Sequence, residues 1–305
     1  IMELPSYLEF SLTDLKEKTK ILTEKLERCD LCGRRCHVNR YKSKSFCNSG
    51  VDIVISSYGA HFGEESIISG VRGSGTIFFT NCPMKCVYCQ NYTISQLGEG
   101  YKIGEEELAF IMLKLQEYGC HNINLVTPTH FVPQIFKSAI IAIEKGLRIP
   151  FVYNCGGYEN TEILKIIEGF VDIYMPDAKY GCDENALKYS GVPDYWQVNK
   201  SCLIEMKRQV GDIILDNEKV AKRGLLIRHL VLPNGISCTE EVIRFIKENL
   251  GEETWISLLS QYHPEYKAYQ FPELNRRLHI EEYRKAERIV ERYNLKNVLY
   301  QGILL

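Results

Sequence analysis

From about residue 75 the chain alternates short apolar runs with helical patterns. GTIFFT (75–80) precedes a helical stretch over 105–118, NINLV precedes 132–146, PFVYN precedes 160–168, and VDIYM precedes 183–209. LLIRHLVL then precedes 238–250, WISLLS precedes 280–293, and NVLYQ closes the series. Strands alternating with helices predict a parallel sheet built from right-handed βαβ units. Six units and a last strand fit an open doubly wound sheet or a full or partial barrel. Neither the long dinucleotide fingerprint nor its acidic partner follows the first strand. Upstream, Leu8, Leu12, Leu15, Leu22 and Leu26 fall at helical spacing, which predicts a helix over 8–28, with Ser11 and Asp14 as capping residues. Solenoid repeats and low-complexity linkers are absent.

The polar residues gather where the apolar runs end. Cys82 follows the first strand, Thr127-Pro128-Thr129-His130 the second, Asn154-Cys155-Gly156-Gly157 the third and Pro176-Asp177-Ala178-Lys179 the fourth. Arg228 and His229 lie in the fifth, and Gln261-Tyr262-His263 follows the sixth. In parallel α/β architectures the carboxyl ends of strands build the active site, so six such ends in register predict a functional cavity. Cys155 is expected to face it. Each residue also has a structural reading: Asp177 as a helix cap, Lys179 as a solvated lysine, and Arg228 and His229 as structural pairs.

Composition narrows the function classes. The net charge is −2 with both signs interspersed, which gives no reason to expect nucleic acid or an anionic membrane. No apolar run approaches the roughly 18 residues of a membrane span. The chain has 305 residues and 12 cysteines. A domain of this size needs no disulfide staples, and no charged-then-apolar export signal opens the sequence. Clustered cysteines here point to metal ligation in a reducing, cytoplasmic setting. The scattered Cys120, Cys182, Cys202 and Cys238 read as small core residues, and SGVRGSG (69–75) reads as a turn.

TNCPMKCVYCQNY (80–92) carries Cys82, Cys86 and Cys89 in a Cx3Cx2C pattern. Thiolates are soft ligands for zinc, copper(I) or iron–sulfur clusters. Three of them on one loop leave one iron of a four-iron cluster without a protein ligand. This loop, with aromatic Tyr88 just before the last cysteine, resembles that of the radical S-adenosylmethionine (SAM) superfamily. The closest resemblance, over roughly 70–305, is to proteins similar to pyruvate formate-lyase activating enzyme. It implies an α/β fold with a partial (β/α)6-type, TIM-like barrel. It also implies a [4Fe-4S] cluster whose open iron chelates SAM and cleaves it reductively to methionine and a 5′-deoxyadenosyl radical, which abstracts hydrogen from a substrate. The family pattern places the adenine near Tyr88, the SAM carboxylate near Lys179 of the Asp177–Lys179 pair, and the methionine or ribose near Asn154. Arg228 and His263 match its fifth and sixth strand ends. A glycyl-radical enzyme or another protein is the implied substrate, and reduced flavodoxin or ferredoxin the implied electron donor.

Two features depart from the family pattern. Thr127-Pro128-Thr129 stands where the family's Gly-Gly-Glu binds the SAM amino group, leaving that role to backbone carbonyls and the Thr127 and Thr129 hydroxyls. The ferredoxin-like insertion of many glycyl-radical activators is also missing between Cys89 and the next helix.

The leader carries Cys29, Cys32, Cys36 and Cys47 in a Cx2Cx3Cx10C run. Four thiols within 19 residues can close a tetrahedral site, and zinc and a second cluster both remain open. His37 is a possible substitute ligand, and Arg34, Arg35, Arg40, Lys42 and Lys44 form a local basic patch. The expected organisation is a helix and cysteine-rich knuckle over 1–68 and a barrel over 69–305. The competing functions are a non-catalytic zinc or iron–sulfur protein for assembly or electron transfer and, less favoured, a SAM methyltransferase, which needs no three-cysteine loop.

Overall fold

The computed structural model describes residues 4–301. In chain order its main elements are α1 (Leu12–Glu24), β1 (Ile53–His61), α2 (Ser66–Ser69), β2 (Ser74–Phe79), α3 (Tyr92–Ser95) and β3 (Tyr101–Ile103). They continue with α4 (Glu105–Glu117), β4 (Ile123–Val126), α5 (Val132–Glu144), β5 (Phe151–Cys155), α6 (Thr161–Ile166), β6 (Ile173–Pro176), α7 (Asp183–Ser190) and α8 (Tyr195–Val210). The last are β7 (Ile214–Leu215), β8 (Ala221–Leu230), α9 (Thr239–Phe245), β9 (Trp255–Leu259), α10 (Ile280–Tyr293) and β10 (Val298–Tyr300).

The sheet order is β10-β9-β8-β6-β5-β4-β2-β1-β3, with β7 paired to β8. The row from β2 to β10 is parallel throughout. Along this row consecutive strands are neighbours, so right-handed crossovers put the crossover helices on one face. That order excludes a doubly wound sheet, whose strand order reverses partway. The other face is concave. Phe78 on β2 and Tyr300 on β10 line one cavity. Six strand spacings would hold them about 29 Å apart on a flat sheet, so the sheet curls as in a partial barrel. Its order still has two ends among the described residues, β3 and β10.

Strand alternation then assigns every side chain. Ile77, Phe79, Leu125, Phe151, Tyr153, Tyr174, Leu225, Ile227 and Leu258 join the core beneath the helices. Val152, Ile173, Met175 and Leu226 fill the base of the interior with Ile67 and Ile68 from α2. Burial on both faces is why these strands read as unbroken apolar runs.

Several details depart from the sequence reading. The predicted helix 183–209 is two helices, because Gly191 takes a left-handed conformation (φ 60°) at the end of α7 and Pro193 follows. Ser11 caps α1 directly, accepting the Asp14 N–H at 3.1 Å, so the regular helix begins at Leu12 rather than residue 8. β1, hydrogen-bonded antiparallel to β2 and β3, has no counterpart in the apolar pattern. Cys182 and Cys238 are not free core thiols but form a disulfide. They follow β6 and β8, which are sheet neighbours, so their loops run side by side and Gly181 N–H donates to Ser237 O at 3.0 Å. Cys155 does not face the cavity: alternation turns its buried side chain outward into the helix-side core.

Candidate active site

Cys82, Cys86 and Cys89 lie on the loop leaving the carboxyl end of β2. Asn81 (φ 67°) and Lys85 (φ 53°) adopt left-handed conformations on either side of Cys82, turning the loop tightly. Such geometry at non-glycine residues persists only where the surroundings impose it. Met84 N–H points at Cys82 Sγ (3.4 Å), Ser190 Oγ donates to Cys86 Sγ (3.0 Å), and Ser95 Oγ lies 3.0 Å from Cys89 Sγ. Burial, helped by the neighbouring Cys86 and Cys89, pushes the Cys82 thiol up to about 12. Without a cation to bind, the Cys82 thiol stays protonated; a metal centre would hold it as a thiolate. Three soft donors on one loop, each with a hydrogen-bond donor at its sulfur, fit an iron–sulfur cluster.

The loop is braced from the leader. Arg34 donates to Pro83 O (2.7 Å), Met84 O (3.3 Å), Gly191 O (2.8 Å) and Ser190 O (3.1 Å). Its guanidinium also sits 3.7 Å over the Phe46 ring. One arginine thereby fixes the loop against the end of α7, a role that the basic-patch reading of the sequence missed.

Beside the loop lies a charged chain built from three adjacent strands. Lys179 Nζ donates to Asp177 Oδ2 (2.6 Å), Arg228 Nε donates to Asp177 Oδ1 (3.1 Å), and Arg228 Nη2 donates to Asn154 Oδ1 (2.7 Å). Burial opposes the Asp177 carboxylate, but Arg228 and Lys179 outweigh it and hold its pKa below the ordinary value. Burial likewise opposes the Lys179 cation, and Asp177 and then Cys86 overcome it and raise its pKa. Met84 of the loop and Lys179 both flank Gly156, 3.0 and 3.8 Å from where its Cβ would sit, which puts Lys179 next to the cysteine loop.

Past Cys89 opens a cavity of about 750 Å³, lined by Gln90, Asn91, Asn154 and Arg228 and by apolar Phe78, Val126, Leu259 and Tyr300. Its base carries groups that no motif announced. Glu64 lies 3.7 Å from Arg228 Nη1 and 3.4 Å from His61 Nδ1, and Glu65 Oε2 is buried without a hydrogen-bond partner. Burial raises the Glu64 pKa against the opposing pull of Arg228. Their only sequence signal is two carboxylates next to an apolar Ile-Ile pair.

The other candidates are placed as follows. Tyr88 is buried, its ring 6.3 Å from Tyr180 and 5.9 Å from Tyr262. Thr127 takes φ 59° and donates its N–H to Asn154 O (2.8 Å), while Thr129 Oγ1 donates to Glu159 Oε1 (2.9 Å); neither lines the cavity. His263 sits in an adjoining hollow of about 400 Å³, its Nδ1 3.1 Å from Gln90 Nε2. His229 is structural: buried, within 2.6 Å of Ala178 O and 3.0 Å of Thr239 Oγ1, its pKa lowered by burial to about 4. Cys29, Cys32, Cys36 and Cys47 line one small pocket. Among the described residues, no three His, Cys, Asp or Glu side chains converge as on a metal ion, so a second metal site in the leader, zinc or cluster, is not shown.

Residues 76–208 match the family model of the Radical SAM superfamily, from within β2 to within α8. The uncharacterized protein MJ0674 of Methanocaldococcus jannaschii is 34% identical over 299 residues, covering 95% of this chain and 81% of that protein. The uncharacterized protein MJ0808 of the same organism is 26% identical over 287 residues, covering 84% and 78%.

Proposed function

Because the chain belongs to the radical SAM superfamily, we propose that it cleaves SAM reductively and acts on a substrate held in the cavity inside the sheet. The observation that carries this reading is a juxtaposition. Three thiols on one loop stand beside the Lys179–Asp177–Arg228–Asn154 chain, at the mouth of a cavity large enough for a SAM-sized ligand. Cys82, Cys86 and Cys89 would hold a [4Fe-4S] cluster, which would supply the electron for reductive cleavage of the SAM carbon–sulfur bond.

The chain's own residues supply position and shielding. Arg34, Ser190 and the Met84 amide fix the loop and its sulfurs. Lys179 offers a cation for a carboxylate next to the loop, and Asp177 keeps it oriented. Asn154 and Arg228 hold one another rigid and present polar edges to the cavity. Apolar Phe78, Val126, Leu259 and Tyr300 line part of the space where a reactive species would meet substrate. A finer version names a glycyl-radical enzyme as substrate and reduced flavodoxin or ferredoxin as donor, in the cytoplasm; motif resemblance is its support. No helix among the described residues is long and apolar enough to cross a membrane.

The test is spectroscopic. Protein reconstituted anaerobically with iron and sulfide and reduced with dithionite should give a cluster electron paramagnetic resonance (EPR) signal that shifts when SAM is added. A Lys179→Met variant should keep the signal but need more SAM for the same shift. A wild-type signal that ignores SAM at millimolar concentration would refute the reading.

A further inference from the structure

We propose that Cys29, Cys32, Cys36 and Cys47 hold a second iron–sulfur cluster, distinct from the centre on the Cys82 loop. All four line one pocket, and Cys29, Cys32 and Cys47 are buried. Buried free thiols are common, but these are built like ligands. The Leu31 amide lies near the sulfur of Cys29 and the Arg34 amide near that of Cys32, each favouring the thiolate. This two-residue offset is the one that puts the Met84 amide on Cys82 Sγ. Amides aimed at sulfur favour the thiolate and tune cluster potentials.

The backbone repeats the same device. Arg35 (φ 40°) and His37 (φ 53°) flank Cys36, and Asn48 (φ 62°) follows Cys47. Asn81 and Lys85 do the same around the family cysteines.

A second, independent observation points to a metal. His130 is 2% exposed and lines the pocket. Its Nε2 lies 2.7 Å from Thr80 O, an atom that can only accept, so Nε2 carries the proton. Nδ1 then presents a bare lone pair, and it has no hydrogen-bond partner. Leaving such a group buried and unpaired is costly. The pocket thus lines up an unsatisfied nitrogen donor beside the four thiols.

The likeness to the first site selects the class. A single zinc ion needs four ligands about 2.3 Å from one point. No three ligand side chains converge in that way among the described residues, at this pocket or at Cys82, Cys86 and Cys89, whose family binds a cluster. A polynuclear cluster takes its thiolates on separate irons, so its ligands stand farther apart. The site also shares a wall with the first: Pro83 of the cysteine loop lines the leader pocket, and Arg34 joins the two. This inference stands on the leader's own geometry and is separable from SAM cleavage.

The experiment measures iron, acid-labile sulfide and dithionite-reduced EPR after anaerobic reconstitution. It compares wild type, a Cys82→Ala/Cys86→Ala/Cys89→Ala variant and a Cys29→Ser/Cys47→Ser variant, with circular dichroism to check folding. The expected result is about eight irons in wild type and about four in the variant without the loop cysteines. That variant should keep its sulfide and a reduced-cluster signal, which a further His130→Ala substitution alters. Loss of all sulfide from it while it remains folded would overturn the proposal, and so would a single bound zinc or iron. If that variant fails to fold, the wild-type content decides: four irons or fewer overturn the proposal. Loss of the leader cluster alone leaves the proposed function standing. A leader cluster with no SAM-responsive signal sinks the proposed function and leaves this one.

Discussion

Removing the Asp177 carboxylate should expose how the charged chain is held. Asp177 is shared by Lys179 Nζ at 2.6 Å and Arg228 Nε at 3.1 Å, and the three side chains are 17%, 21% and 19% exposed. Taking one partner from a buried pair costs about 3–5 kcal/mol. Partial solvent access moves Asp177→Ala to the lower end, about 3 kcal/mol. Lys179→Met leaves Asp177 paired with Arg228 and should cost about 1–2 kcal/mol. The effects should not add. Asp177→Ala leaves two cations facing each other, and the double variant relieves that repulsion. It should cost about 3 kcal/mol, giving a coupling of at least about 1 kcal/mol. Urea unfolding followed by the fluorescence of Trp196 and Trp255 reads these values by linear extrapolation. Additivity within about 0.5 kcal/mol would refute the shared-carboxylate reasoning. The pH dependence gives a sign check. Because the folded pKa lies below 3.8, the carboxylate's contribution is complete above that value and is lost as pH falls through the folded pKa. The gap between wild type and Asp177→Ala should therefore close in acid.

Three further outcomes are expected. Burial holds Glu159 at about 7 against an ordinary 4.5, so the folded state binds this proton more tightly than the unfolded chain. The resulting stability is present below pH 4.5 and fades as pH rises through 7, a loss of about 3 kcal/mol that urea titrations of Glu159→Gln between pH 5 and 8 should lack. Gly157→Ala should abolish soluble expression or lower the thermal midpoint severely. Gly157 has φ 71°, and an added Cβ would lie 2.1 Å from Asp177 O and 2.3 Å from Asn199 Nδ2. Arg34→Ala should cost about 2–3 kcal/mol, since it strands carbonyls of Pro83, Met84, Ser190 and Gly191, and should speed hydrogen exchange across residues 82–89.

Much of this architecture is legible in the sequence for one physical reason. Strands packed on both faces must be apolar throughout, so β2, β4, β5, β6, β8 and β9 stand out as runs between helical patterns. β1 lacks that signature because much of it is partly exposed, and IVISSYGAH carries two serines, a glycine and a histidine. Asp177, Lys179, Asn154 and Arg228 are legible because strand ends converge. Glu64 and Glu65 are not, since they enter the interior from a loop after an antiparallel strand. The Cys182–Cys238 bond spans 56 residues and depends on which loops become neighbours, which only the sheet order fixes. The orientation of Cys155 turned on a one-residue phase within β5, and an unbroken apolar run such as PFVYN does not reveal that phase.

On the proposed function, the Cys82 loop makes this chain a SAM-cleaving enzyme. Anaerobically reconstituted protein, given SAM and dithionite, should release 5′-deoxyadenosine detectable by liquid chromatography and mass spectrometry. Single Cys82→Ala, Cys86→Ala and Cys89→Ala variants should each release none. A wild-type protein that carries its cluster yet makes no 5′-deoxyadenosine, even with stronger reductants, would contradict the claim.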